Sequence, residues 1–209
     1  QIKLGVIGMG YVGLPLAIEF GKIRNVIGFD IDEKRIHNLK NSIDKTLEIS
    51  NDEFMQAEGL EFTNDVKVIS DCNFYIVCVP TPITLEKKPD LSPILSATQL
   101  IASVLNVGDT VVYESTVFPG VVEDYCSQVI EENTNLTFNN DFFLGYSPER
   151  INPGDKKNTI RSIIKITSGS NDSTSELVDA LYKTIIPAGT HRAPSIKVAE
   201  AAKVIENIQ

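Results

Sequence analysis

Four polar side chains sit where chemistry could be done: Thr116, Glu149, Lys203 and Asn207. Thr116 closes Glu114-Ser115-Thr116 behind an apolar run, and its hydroxyl can donate and accept. The plainer alternative is a helix-capping hydroxyl ahead of Pro119-Gly120. Glu149 stands between Pro148 and Arg150, either open to chemistry or paired with Arg150 at the surface. Lys203 and Asn207 are four apart, so a helix would project them from one face together with Glu200. That face is either part of a site or a solvated stripe. The three cysteines, Cys72, Cys78 and Cys126, lack metal-ligand spacing and read as reduced thiols, so no metal site is expected.

A stronger signal lies near the start. Gly8-Met9-Gly10-Tyr11-Val12-Gly13 follows the β-rich run Ile2 to Ile7 and precedes the helical spacing Leu14, Leu16, Ala17, Ile18, Phe20. Strand, G-x-G-x-x-G, helix is the context of a dinucleotide-binding turn. Gly8 permits the tight turn, Gly10 lets the backbone approach a pyrophosphate, and Gly13 lets helix pack on strand. The next apolar run, Val26-Ile27-Gly28-Phe29, ends in Asp30, 22 residues after Gly8. A carboxylate near that spacing accepts hydrogen bonds from a ribose, whereas a plain helix N-cap is the alternative role for Asp30.

These residues need a scaffold, and the rest of the chain supplies an alternation. Helices are predicted over Gly13–Lys22 and Asp32–Lys40, from Ser50 with a Glu53 capping box, from Ser92 to near Gly108, over Val121–Glu132 and Thr174–Ile185, and from Pro194 onward. Strands are predicted at Leu60–Thr63, Asn73–Val79, Asp109–Glu114, Phe142–Tyr146 and Ile163–Ile166. This is the pattern of an α/β fold, a doubly wound parallel sheet. The expected division is a nucleotide-binding domain over 1–193 and the start of a long helix over 194–209. Ligands of such sheets bind at the carboxyl ends of the strands. Gly8–Gly13, Pro80-Thr81-Pro82, Glu114-Ser115-Thr116 and Ser147-Pro148-Glu149 all fall there, so one rim should be one site. Arg150, Lys156, Lys157, Arg161 and Lys165 could attract a diphosphate or form an ordinary charged surface.

Composition narrows the partners. A net charge of −9 argues against nucleic acid or an anionic membrane, because phosphate backbones require clustered Lys and Arg. No apolar run reaches spanning length, and a cytoplasmic location is expected. Gln1 in place of Met suggests a trimmed start.

Taken together, Gly-x-Gly-Tyr-Val-Gly-Leu-Pro at 8–15, Val79-Pro80-Thr81-Pro82, Glu114-Ser115-Thr116 with Pro119-Gly120, Tyr146-Ser147-Pro148-Glu149-Arg150 and Glu200-Ala201-Ala202-Lys203-Val204-Ile205-Glu206-Asn207 resemble the UDP-glucose/GDP-mannose dehydrogenase family over essentially the whole chain. Ser147 to Gly154 and the Ala-rich last helix look most like the branch that oxidises UDP-N-acetylhexosamines for bacterial surface polysaccharides.

The resemblance implies a two-step oxidation of a sugar primary alcohol to a carboxylate with two NAD, through a cysteine thiohemiacetal and thioester. It implies NAD contacts from Gly8, Gly10, Tyr11, Val12, Gly13, Asp30, Arg35, Pro80, Thr81, Ser115 and Thr116. Thr116 would orient the catalytic water, Glu149 would be the general acid/base, and Lys203 with Asn207 would stabilise the developing oxyanion. A nucleotide sugar and a homo-oligomer are the implied partners. There are two departures from the family. Pro153 stands where glucose-specific relatives carry a second glutamate, and none of the three cysteines matches the nucleophile, which lies in a C-terminal half. The chain thus reads as the cofactor half of a larger enzyme, inactive alone. A stand-alone nucleotide-binding module is the alternative. Hydroxyacyl- or phosphogluconate-type dehydrogenases share the glycines but should not carry Tyr-Ser-Pro-Glu-Arg.

Overall fold

The computed structural model of the chain describes residues 1–84, 86–150 and 160–208, with side chains to 206. Eight strands form one sheet: β1 (Leu4–Ile7), β2 (Val26–Phe29), β3 (Leu60–Thr63), β4 (Phe74–Val77), β5 (Thr110–Tyr113), β6 (Phe143–Tyr146), β7 (Lys165–Gly169) and β8 (Thr190–Arg192). The sheet order is β3-β2-β1-β4-β5-β6-β7-β8. Its first six strands are parallel in the doubly wound order that reverses between β1 and β4, the switch point at whose carboxyl ends such sheets place their ligand crevice.

The strands are short, the central ones β1, β4 and β5 are buried on both faces, and alternate residues feed two cores. Leu4, Val6, Phe74, Ile76 and Val112 pack beneath α1 (Gly13–Gly21), α2 (Glu33–Lys40) and α7 (Asp172–Lys183). Ile7, Val77, Val111, Tyr113 and Leu144 pack on the other face with α5 (Ser92–Ala102), α6 (Ser127–Asn133) and α8 (Ile196–Ile208). Short helices α3 (Asn51–Gln56) and α4 (Val66–Ile69) flank β3. Ser50 and Glu53 form the expected capping box.

Three local expectations change. The last predicted strand runs Lys165–Gly169 rather than Ile163–Ile166, and it is antiparallel to β6 (Gly145 opposite Gly169, Tyr146 opposite Ser168). The helix predicted from Val121 begins as a π-helical turn over Val121–Cys126 before α6, and a carboxylate from α8 accepts from the amides at its start. The short elements α4 and β8 were too brief to show a period. No helix among the described residues is long and apolar enough to cross a membrane.

Candidate active site

The glycine turn links β1 to α1. Gly8 adopts φ +94°, which only glycine takes without strain. A Cβ on Gly13 would lie 1.8 Å from the Gly8 carbonyl oxygen, so helix and turn could not close. A Cβ on Gly10 would meet nothing within 4 Å, so this face of the turn is open to a ligand. No side chain caps α1; the Leu14 N–H already donates to the Gly10 carbonyl and Pro15 has none, which leaves the Gly13 N–H at the helix start to suit an anion.

The turn is braced from the neighbouring strand. Asp30 accepts the Met9 N–H at 2.8 Å and the Asp32 N–H at 2.9 Å. Asp32, not Asp30, is the N-cap of α2, accepting from Lys34 and Arg35. Arg35 donates through Nε to the Met9 carbonyl at 2.7 Å and through Nη1 to Asp44 at 2.8 Å, while its buried Nη2 meets no partner among the described residues. Burial alone would raise the Asp44 carboxyl. Bonds from Thr46, Arg35 and the Ile49 N–H hold it below the usual range.

Across the crevice, Pro80 is exposed, and the buried Thr81 hydroxyl finds no acceptor or donor among the described residues. Ser115 donates to the Val79 carbonyl at 2.6 Å, so its hydroxyl fastens one rim loop to the next. Thr116 is exposed and does not cap the helix after Pro119. Tyr11 is 55% exposed at the turn, and Val12 is half-buried.

Because β7 runs backwards, its first residue, not its last, reaches the rim. Its register, continued past β6, brings Lys165 level with Glu149. Lys165 is 3% exposed, contrary to the charged surface expected of the basic stretch. Its Nζ lies 2.5 Å from Glu114 Oε2 and 3.5 Å from Glu149 Oε2. The Tyr182 hydroxyl, from α7, donates to Glu114 Oε1 at 2.5 Å. Burial pushes the Glu114 carboxyl up, against the pull of Lys165. Burial alone would lower Lys165, but Glu114 and Glu149 hold its ammonium above the ordinary lysine range.

The anticipated pairing of Glu149 with the Arg150 guanidinium is not what forms. Arg150 sends Nη2 to Glu206 at 2.7 Å and Nη1 to the Ile164 carbonyl, and only its backbone N–H reaches Glu149. Lys203 is half-buried on α8. Burial lowers its ammonium, with Glu149 and Glu206 opposing and Lys165 and Arg150 reinforcing. Glu149, Lys165 and Lys203 therefore share one electrostatic neighbourhood. Glu200 instead faces inward, accepting from the Gly120 N–H at 2.6 Å and the Val122 N–H at 3.0 Å. The Asn207 side chain, Pro153, Lys156 and Lys157 lie outside the described residues.

All three cysteines are buried. Burial pushes the Cys72 and Cys126 thiols up to about 11, and Cys78 well above its usual value, with Glu114 adding to the effect at Cys78. Among the described residues no group of His, Cys, Asp and Glu is arranged to hold a metal. Sequence reasoning named Glu114 only as part of a motif and Lys165 only as one member of a basic stretch, and it passed over Tyr182. The available signal was a lysine inside the apolar run Ile163-Ile164-Lys165-Ile166.

Residues 2–186 match the UDP-glucose/GDP-mannose dehydrogenase family, NAD binding domain. A UDP-N-acetyl-D-glucosamine 6-dehydrogenase of Salmonella typhi is 56% identical over 209 residues, which is 100% of this chain and 49% of that protein. Another of the same name from Pseudomonas aeruginosa is 57% identical over 100% of this chain and 50% of its own length. The solved UDP-D-ManNAc dehydrogenase of Pyrococcus horikoshii superposes with TM-score 0.89 at 28% identity, covering 99% of this chain and 50% of that one. The chain spans about half the length of the curated relatives it matches.

Proposed function

This chain belongs to the UDP-glucose/GDP-mannose dehydrogenase family, and we propose that it is the NAD-binding part of an enzyme that oxidises a UDP-N-acetylhexosamine to its uronic acid in two steps. The observation that carries this reading is the placement of Glu149, 3.5 Å from the buried Lys165, in one electrostatic neighbourhood with Lys203 on the rim that also holds the glycine turn. A module that only bound nucleotide would need neither.

The residues present fit the cofactor. Gly10 leaves open the space a pyrophosphate needs, the uncapped start of α1 offers a backbone N–H, and the Thr81 hydroxyl, without a partner among the described residues, could take one from a ribose or amide. NAD, when bound, accepts the hydride from the sugar carbon. Asp30 takes the adenosine ribose, with Arg35 beside it. Glu149 moves the alcohol proton, Thr116 orients water, and Lys203 with Asn207 offsets negative charge developing on the sugar oxygen.

The second oxidation needs a thiolate, and the three thiols here are buried and held protonated. Residues 1–193 then act as the nucleotide domain and 194–209 as the beginning of a helix joining it to a second half. That enzyme works in the cytoplasm as a homo-oligomer. Val198 and Ile205, 47% and 59% exposed on α8, support burial against another surface.

The test incubates the 209 residues with NAD and either UDP-N-acetylglucosamine or UDP-N-acetylgalactosamine while NADH absorbance is followed. NAD binds by calorimetry, and no sustained NADH accumulates. Two NADH per sugar, abolished by Cys126→Ala, would overturn the reading and make this a complete small dehydrogenase.

A further inference from the structure

The buried cluster behind Glu149 has no part in the chemistry described so far. Lys165, on β7, has a side chain 4% exposed, and the carboxylate of Glu114 at the end of β5 is fully enclosed. Both Glu114 oxygens are engaged, one by Lys165 Nζ and the other by the Tyr182 hydroxyl of α7. An ammonium has three donors. One goes to Glu114, and the same Nζ stands 3.5 Å from Glu149.

Such a cluster is a poor way to stabilise a sheet. Apolar side chains of similar volume serve a fold as well or better than a buried ion pair, so its position calls for another purpose. We propose that Lys165 is a positioning residue: its ammonium, enclosed between Glu114 and Glu149, holds the Glu149 carboxylate at the rim beside Lys203. The inference rests on the reading of Glu149 as the general acid/base.

Charges alternate from the interior outward, Glu114, Lys165, Glu149, Lys203. Among the described residues, Lys203 is the next cation outward from Glu149, and the other neighbours are engaged elsewhere. Arg150 is committed to Glu206 and to the Ile164 carbonyl. Cys78, at the end of β4, is protonated, and Tyr182 already donates to Glu114. Without Lys165, two carboxylates would face each other across a dry space, and Glu149 would turn away from its neighbour.

The test uses the full-length enzyme, with NADH production as the readout and NAD affinity measured in parallel. Lys165→Met lowers kcat by about tenfold or more, within the contribution a positioned acid/base makes, while the Kd for NAD stays constant. Lys165→Arg restores most of the rate. Lys165→Met alone strands Glu114, so the decisive variant is Lys165→Met with Glu114→Gln, which removes the buried unpaired carboxylate. Its Tm returns toward the parent while kcat stays low. Recovery of kcat together with Tm would show that Lys165 serves only the fold and would overturn the inference. Glu149→Gln separates the two ideas. Parental kcat in that variant removes the acid/base reading and this inference with it. Loss of kcat there, with parental kcat in the double variant, removes this inference alone.

Discussion

The carboxylate of Asp30 accepts the backbone N–H of Met9 at 2.8 Å, so the end of β2 grips the middle of the glycine turn. One residue thus shapes the turn and, in the proposed site, takes the adenosine ribose.

Asp30→Ala removes that brace and the acceptor for a ribose hydroxyl. A lost hydrogen bond to a charged group costs about 1.5–3 kcal/mol, or about 10- to 100-fold in affinity. Calorimetry should show NAD weakened by that much. In the parent, NADP should bind less tightly than NAD, because Asp30 would repel a 2′-phosphate. Equal or tighter NADP binding would remove Asp30 from the ribose site.

The glycines of the turn should separate fold from binding. Gly10→Ala adds a methyl to open space, so Tm is kept while NAD affinity falls. Gly13→Ala drives a methyl into the Gly8 carbonyl, and overpacking of this kind costs about 1–3 kcal/mol or more. Thermal melts and NAD titrations of the two variants check the contrast, and equal loss of Tm in both would refute it.

How legible the site was follows from how local its parts are. The turn, Asp30 and the Ser50–Glu53 box are written within short stretches, where period and spacing suffice. Lys165 could not be read that way. Its burial depends on β7 reversing direction and on Glu114, 51 positions earlier. Glu200 looked like one more polar residue on an Ala-rich helix, because its partners, Gly120 and Val122, lie about 80 positions upstream.

Asp44 supplies a pH signature. Its carboxyl is held below the ordinary 3.8, so the unfolded chain binds more protons near that pH than the folded one. The stability it contributes is complete above the unfolded value and is lost as pH falls through the folded one. Asp44→Asn should lower stability at pH 7 by about 1–3 kcal/mol. The gap to the parent should shrink below about pH 4, where the unfolded aspartate titrates. Urea melts at several pH values check this, and a gap that does not vary with pH would contradict it.

Lys203→Ala in the full-length enzyme should cut turnover by about 100- to 1000-fold, the usual cost of losing one electrostatic donor at a developing oxyanion. NAD affinity should hardly move. Near-normal turnover in steady-state kinetics would return Lys203 to a solvated stripe.

The thiols should be slow. With Cys126 and Cys72 raised to about 11, about one thiol in a thousand is ionised at pH 8, and burial blocks access as well. Iodoacetamide should leave the native chain unlabelled and modify all three cysteines once it is denatured. Rapid native labelling at Cys126 would revive it as a nucleophile.

The grip of Glu200 on Gly120 and Val122 ties α8 and the loop behind Thr116 into a single structural unit. A foreign helix grafted in place of α8 would lose its foothold unless it brought a carboxylate at that position or its own version of residues 116–122. Homologous exchange between relatives should therefore tolerate junctions elsewhere around the sheet far better than a junction that parts these two segments.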